Sequence, residues 1–75
     1  MQYYKNINGD SGVQAYEYGA DFIRVKFSTG AVYVYTNASA GPQNIAEMKK
    51  LADEGKGLNA FINLKVKKLY ARKES

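Results

Sequence analysis

The sequence contains no cysteine and no histidine. Without cysteine there can be no disulfide, no thiolate metal ligand and no thiol nucleophile. Without histidine the usual zinc sites and the imidazole base of nucleophilic catalysis are excluded as well. The acidic residues are scattered, and no glycine-rich loop has the spacing that cradles a phosphate. We therefore expect a protein that is not an enzyme and that carries neither a metal nor another cofactor.

Long apolar segments are also missing. The residues from Met1 to Asn6 lack the apolar region of a signal peptide. No apolar run approaches the length that a membrane span needs. Since a small chain without disulfides suits a reducing compartment, we expect a cytoplasmic protein that does not bind a membrane.

The 75 residues are enough for one domain with a thin core. Turn-forming residues are concentrated near the start, at Asn8-Gly9 and again at 10–12. We therefore divide the chain into a polar lead-in over residues 1–10 and a single domain over residues 11–75. The lead-in is expected to be mobile, with Tyr3 and Tyr4 as the residues that would dock on the domain.

The hydrophobic pattern predicts three strands followed by two helices. The strands are expected at 13–18, 22–27 and 31–36, where apolar and β-branched residues alternate with polar ones. The helices are expected from Pro42 to Gly55 and from about Leu58 to Tyr70, where apolar residues recur at helical spacing. The predicted fold is a two-layer α+β domain, in which a three-stranded antiparallel sheet is covered on one face by both helices (β-β-β-α-α). The predicted core contains Val25, Leu51, Phe61, Ile62 and Val66, and the apolar stripe of the second helix also includes Leu58 and Leu69.

The direction of Tyr33 and Tyr35 depends on the turn before the third strand. A three-residue loop over 28–30 requires a positive φ only at Gly30, whereas a two-residue loop requires it at Thr29, which is β-branched. We therefore expect the longer loop, which turns both tyrosines toward the helices, beside Phe27. Val32 and Val34 then point away. The shorter loop would reverse the faces and offer the tyrosines as a platform on which bases stack.

The excess of positive charge lies in the C-terminal part of the chain. Residues 1–55 hold five cations and six anions, a net charge of −1, whereas residues 56–75 hold six cations and one anion, a net charge of +5. On the predicted helix, Lys65, Lys68 and Arg72 fall in one quadrant, while Asn59 and Asn63 share another side with Lys67. Cations there can neutralise phosphates, although a solvated helix end explains them equally well. The candidate nucleic-acid-binding residues are Asn63, Lys65, Lys67, Lys68, Arg72 and Lys73.

The pair Tyr33 and Tyr35 on the third strand and the later segment from Phe61 to Tyr70 form two motifs. They resemble those of the KTSC domain, which is named for the C-terminus of some lysyl-tRNA synthetases and also occurs as small bacterial and phage proteins. Tyr33 and Tyr35 match its Tyr-x-Tyr strand motif. Its second motif, aromatic-Phe-Asn-x-x-Ile-Arg-x-x-Tyr, is similar to the segment from Phe61 to Tyr70, with Ile62 in place of phenylalanine and Lys67 in place of arginine. The resemblance covers 11–70 and implies the same fold, with RNA binding as the function suggested by the synthetase context.

These observations favour a non-catalytic domain that binds RNA or another nucleic acid through a basic C-terminal helix. The alternative is a protein-interaction module. It would bind a protein partner, or form a homodimer, through an exposed sheet edge or through the face that carries Val32 and Val34.

Overall fold

A computed structural model describes residues 1–7 and 12–74. The predicted turn residues at 8–11 lie outside these ranges. The domain has the expected α+β architecture, with an antiparallel sheet and helices packed against it, but the described residues form five strands instead of the three predicted. Their spatial order follows the chain: β1 (Gln2–Tyr3), β2 (Val13–Tyr18), β3 (Phe22–Phe27), β4 (Val32–Thr36) and β5 (Arg72–Lys73).

The N-terminal residues, predicted as a lead-in, contribute an edge strand. In β1, Gln2 lies opposite Tyr16 and Tyr3 lies opposite Ala15. Tyr4 docks in the core, where its hydroxyl accepts a hydrogen bond from the Leu58 backbone N–H at 3.2 Å. Tyr3, by contrast, is 79% exposed. The first residues of the segment expected as a lead-in therefore belong to the sheet, and the expected docking holds for Tyr4 but not for Tyr3.

The turn between β3 and β4 is the predicted three-residue loop. The Phe27 N–H donates to the Ala31 carbonyl at 2.8 Å, and the Gly30 N–H donates to the Phe27 carbonyl at 2.9 Å. Gly30 has a φ of 94°, a left-handed value that a residue without a side chain adopts at little cost. The register puts Tyr33 opposite Val25 and Tyr35 opposite Ile23, on the core side of the sheet. The predicted direction of both tyrosines is confirmed.

Two helices follow β4, where the sequence pattern predicts only the one that begins at Pro42. Thr36 caps the one-turn helix α1 (Asn37–Ala40), because its hydroxyl accepts from the Ser39 N–H while the Ser39 hydroxyl oxygen accepts from the Thr36 N–H. The longer helix α2 (Pro42–Glu54) begins at Pro42 as predicted, and Gly55 ends it with a φ of 79°.

The last helical segment is shorter than expected. Helix α3 (Leu58–Phe61) continues into a π-helical segment (Ile62–Val66), and the helix ends there instead of reaching Tyr70. The chain then returns to the sheet, where the Ala71 N–H donates to the Val34 carbonyl at 2.6 Å and the Glu74 N–H donates to the Val32 carbonyl at 2.7 Å. These bonds satisfy the open edge of β4, which a longer helix would leave unpaired.

The core lies between one sheet face and the helices. Of the predicted core residues, Val25, Ile62 and Val66 are buried, while Leu51 and Phe61 are half-buried against them. Leu58 is buried, but Leu69 is 41% exposed, because the helix has ended before it. None of the helices within the described residues combines the length and apolar character that crossing a membrane requires.

Charged side chains cross the outer face of the sheet. Arg24 pairs with Glu17 on one side and donates from Nε to Glu74 at 2.7 Å on the other. Glu74 also accepts from Arg72 Nε at 3.0 Å. Val34 lies opposite both Arg24 and Arg72 and is only 2% exposed, although it lies outside the main core cluster of the described residues. The valine-bearing face is therefore less apolar at its surface than the sequence pattern suggests.

Candidate functional site

A concave surface of about 470 Å³ opens between the β3–β4 hairpin and the α3 segment. We call it the hairpin–helix groove. Aromatic, amide and ammonium groups all contribute to its lining, and none of the described residues that line it is acidic. The lining residues are Gly12, Phe27, Ser28, Thr29, Ala31, Tyr33, Tyr35, Asn59, Ile62, Asn63, Lys67, Lys68 and Tyr70.

The fold positions each side of the groove for a physical reason. The register of the β3–β4 hairpin turns Tyr33 and Tyr35 to the inner face, and the three-residue loop brings Ser28 and Thr29 to its rim. Tyr35 is 1% exposed and therefore lies at the base of the groove. The opposite wall is helical, and its polar residues follow one another at a spacing of about one turn. Asn59, Asn63 and Lys67 make up this wall.

Four aromatic rings form a continuous cluster along the groove. Tyr33 contacts Phe27 edge to face at 5.8 Å between ring centroids and contacts Tyr70 at 4.8 Å. Tyr70 also lies 6.5 Å from Tyr35, with the rings perpendicular. Such edge contacts stabilise the rings beyond simple burial. Tyr70 remains 40% exposed, so part of its ring is open to a ligand.

The hydroxyl of Tyr35 keeps its proton over the whole ordinary pH range. Burial, followed by the neighbouring hydroxyls of Tyr33 and Tyr70, raises the pKa of Tyr35 to about 12. The base of the groove is therefore neutral. Positive charge in the groove comes from its rim, where Lys67 and Lys68 are both exposed.

The polar side chains on this side of the groove have no hydrogen-bond or ion-pair partner among the described residues. Within residues 1–7 and 12–74, the side chains of Asn59 and Asn63 make no hydrogen bond, and Lys67 and Lys68 make no ion pair. An amide has two donors and two acceptor lone pairs, and an ammonium has three donors. Together, Asn59, Asn63, Lys67 and Lys68 therefore present two amides and two cations to whatever enters the groove.

Only some of the candidate nucleic-acid-binding residues line the groove. Asn63, Lys67, Lys68 and Tyr70 line the groove, whereas Lys65 is exposed elsewhere on the π-helical segment. The prediction that Lys65, Lys68 and Arg72 form a strip along one helix is wrong. The helix ends before Lys68, and Arg72 belongs to β5.

The other two predicted residues lie on the sheet. Arg72 is paired with Glu74 on the outer face. Lys73 lies opposite Tyr33, with its Nζ 5.8 Å from the ring centroid, next to the aromatic cluster. Lys73 is thus near the groove without being one of its lining residues.

The hairpin side of the groove is not among the candidate residues that the sequence pattern indicates. The sequence pattern indicates only a turn at Ser28 and Thr29. The register of the three-residue loop places Phe27 on the same face as Tyr33 and Tyr35, so the register alone indicates part of this side of the groove. The sequence offered no sign that α3 would pass next to the hairpin tip.

A second polar cluster links the sheet to α2. The hydroxyls of Tyr16 and Tyr18 donate to the two carboxylate oxygens of Asp53, at 2.9 and 2.7 Å. Burial and then the hydrogen bond to Asp53 raise the pKa of Tyr16 to about 12. All three groups are satisfied by one another, and Asp53 lines none of the cavities described among these residues. The cluster therefore serves to hold α2 on the sheet.

No family model, no curated protein and no solved structure matches this chain. The motif residues that resemble the KTSC pattern are distributed over the groove and the core. Tyr33, Tyr35 and Tyr70 line the groove, while Phe61 packs half-buried against the core. What the groove binds has to be inferred from its own geometry and charge.

Proposed function

We propose that this chain is a non-catalytic domain that binds RNA or another nucleic acid in the hairpin–helix groove. The observation that carries the proposal is the combination of an open aromatic ring, Tyr70, with the unpaired cations Lys67 and Lys68 at one concave surface. Nucleic acids present the complementary groups, since every base has a stacking face and every nucleotide has a phosphate.

The charge distribution supports the same ligand class. The excess of cations lies after residue 55, and the described lining of the groove has lysines but no carboxylate. A local positive potential attracts polyanions and raises their rate of encounter. A nucleic-acid ligand also agrees with the cytoplasmic location expected from the sequence.

The resemblance to the KTSC domain is part of this proposal. Tyr33, Tyr35 and Tyr70 are motif residues of that resemblance, and all three face the groove. A shared ligand site would explain why these positions carry tyrosines, although packing of the cluster explains them too. Lys67 stands where the family pattern has arginine, so a phosphate contact there would be a single point charge instead of a bidentate one.

The alternative is a protein-interaction module or homodimer. Its two candidate surfaces are an exposed sheet edge and the outer sheet face with Val32 and Val34. The ion pairs of Arg24, Glu17 and Glu74 cross this face, and Val34 is almost completely covered. Interface cores are depleted in charged residues, so the groove is the better candidate for a binding surface.

The proposal is tested by a salt series of binding to RNA and DNA. We expect affinity to fall steeply with salt, because bound phosphates release counterions. Changing Lys67 and Lys68 together to glutamine should reduce the slope of log K against log salt by about 1.4–1.8, which is one contact for each lysine. Fluorescence anisotropy with labelled oligonucleotides measures both the affinity and the slope.

Lys65→Gln is the matched control, since it removes the same charge from the same segment outside the groove. Its effect on the slope should be much smaller than that of either groove lysine. If the wild-type protein binds neither RNA nor DNA at low salt, the proposal fails and the interaction module takes its place. An equal effect of Lys65→Gln would show that binding does not use the groove.

A further inference from the structure

The shape of the groove says more about the ligand than its charge does. Resting on the nucleic-acid proposal above, we infer that the groove accepts an unpaired base, so that the ligand is a single strand, a loop or a bulge. The base would enter between the hairpin and α3, against Tyr70, with its edge toward Asn59 and Asn63. Its flanking phosphates would lie on Lys67 and Lys68.

The concavity determines which partner inserts into the other. A helix that reads duplex DNA has to protrude, because it enters the major groove from outside. Here Asn59 of α3 and Asn63 of the π-helical segment form one wall of a depression, and Ser28 and Thr29 of the hairpin line the same depression. A duplex would meet the hairpin before its base edges reached these amides. The ligand must therefore extend a group into the protein.

The interior of the groove fits a flat, partly polar group. Tyr35 and Ile62 form its base and are nearly completely buried, and Tyr33 and Tyr70 add aromatic surface above them. A base that leaves its own stack can replace that stacking on an aromatic side chain. The amides of Asn59 and Asn63 can both donate to and accept from the hydrogen-bonding edge of such a base.

The cations are placed for the backbone of the same nucleotide and its neighbour. Lys67 and Lys68 follow Asn63 along the chain and are exposed, whereas Tyr35 and Ile62 are buried at the base of the groove. Phosphates stay hydrated at the surface while a base turns inward, so rim cations with an apolar interior match the two ends of one nucleotide.

The test compares ligands that differ in the availability of bases. The probes are a mixed-sequence single strand, its perfect duplex and an abasic single strand, each offered at equal phosphate concentration, with the intact single strand made as both RNA and DNA. We expect the wild-type protein to prefer the intact single strand over both others by about tenfold, the range that loss of one stacked base produces. Tyr70→Ala should remove about the same factor without changing the salt slope. Tyr70→Phe should restore it.

Tyr3→Ala is the control, because Tyr3 is an exposed tyrosine outside the groove. If Tyr70→Ala disturbs the fold, the abasic comparison decides, since it uses the wild-type protein. Equal affinity for the duplex, or for the abasic strand, would overturn the inference while leaving phosphate binding in the groove intact. A lack of binding to every probe would overturn both proposals. A preference for the intact single strand supports the inference, whether RNA or DNA binds better.

Discussion

The carboxylate of Asp53 determines how α2 meets the sheet. It accepts from two tyrosine hydroxyls of β2, and the rings of Tyr16 and Tyr18 stack at 6.2 Å between centroids. Tyr16 is nearly completely buried, whereas Asp53 is exposed, so this hydrogen bond lies at the edge of the core. A hydrogen bond to a charged group contributes about 1.5–3 kcal/mol when it is buried, and less at the more exposed Tyr18.

The domain should lose stability at alkaline pH. Tyr16 and Tyr35 both have a pKa raised from 10.0 to about 12, in each case mainly by burial. A group with a raised pKa in the folded state stabilises the fold fully below its unfolded value and loses that contribution as pH rises through the folded value. The free energy of unfolding should therefore fall between about pH 10 and pH 12, as measured by urea denaturation.

Replacing Tyr16 by phenylalanine should make this alkaline loss smaller. The same change should lower stability at neutral pH by about 1 kcal/mol or more, because Asp53 loses a donor. Tyr3→Phe is the control, since Tyr3 is in water in both states. An alkaline profile that Tyr16→Phe leaves unchanged would show that this hydroxyl is not held as the structure describes.

Gly30 gives a second residue-scale prediction. Its φ of 94° strains any residue with a side chain, but the space around it is open, with nothing within 4 Å of an added Cβ. Gly30→Ala should therefore destabilise the domain by about 1 kcal/mol through backbone strain alone. Gly30→Asn should cost less, since asparagine tolerates this region better. Thermal denaturation measures both, and a neutral Gly30→Ala would contradict the loop geometry.

At the scale of elements, β5 depends on side chains as much as on its backbone. It has two residues, and its neighbours Ala71 and Glu74 donate the flanking hydrogen bonds to β4. The hydrogen bond from Arg24, followed by that from Arg72, lowers the pKa of Glu74. Because the pKa is lowered, this contribution is present above the ordinary value of 4.5 and is lost as pH falls below it.

Arg24→Gln should loosen β5 without unfolding the domain. Hydrogen exchange should become faster at the Ala71 and Glu74 amides and change little in the core strands. Lowering the pH should have the same selective effect on the wild-type protein as Glu74 becomes protonated. Lys26→Gln, on the same strand and face, is the control. Unchanged exchange at both amides would mean that the ion pairs do not hold β5.

The elements that sequence could predict are those with a repeating pattern. β2, β3, β4 and α2 each have alternation or helical spacing over at least five residues, and their positions were predicted well. β1 and β5 have two residues each, too few for any period. The end of α3 was missed because the apolar spacing continues to Leu69. The pairing of β5 with the edge of β4 is a long-range contact, and a local sequence pattern does not predict such a contact.

The groove was predictable only in its components. The cations and tyrosines were identified from the sequence, and the preferred loop gave the tyrosines their correct face. The sequence pattern grouped Asn63, Lys67 and Lys68 with residues that lie outside the groove. One of these is Arg72, which belongs to β5 of the sheet. The site arises where the hairpin tip and α3 meet, and this arrangement belongs to the tertiary structure.

At the scale of the whole molecule, the core is thin, so ligand binding should produce a measurable increase in the melting temperature. The chain has 75 residues and a radius of gyration of 10.8 Å, and domains of this size are only marginally stable. A ligand that binds only the folded state at 100 times its dissociation constant adds about 2.7 kcal/mol. For a domain of this length, each kcal/mol raises the melting temperature by about 4–8 °C, so the total shift should be about 11–22 °C.

The melting temperature of the protein with a single-stranded oligonucleotide at that excess should show this shift, and added salt should reduce it. The Lys67→Gln, Lys68→Gln double variant should melt like the wild type when alone, because both side chains are exposed and unpaired within the described residues. Its shift should be clearly smaller at the same oligonucleotide concentration, since two phosphate contacts are lost. Lys65→Gln should keep the full shift. If the double variant and this control shift equally, the oligonucleotide stabilises the protein through net charge alone, and the groove is not where it binds.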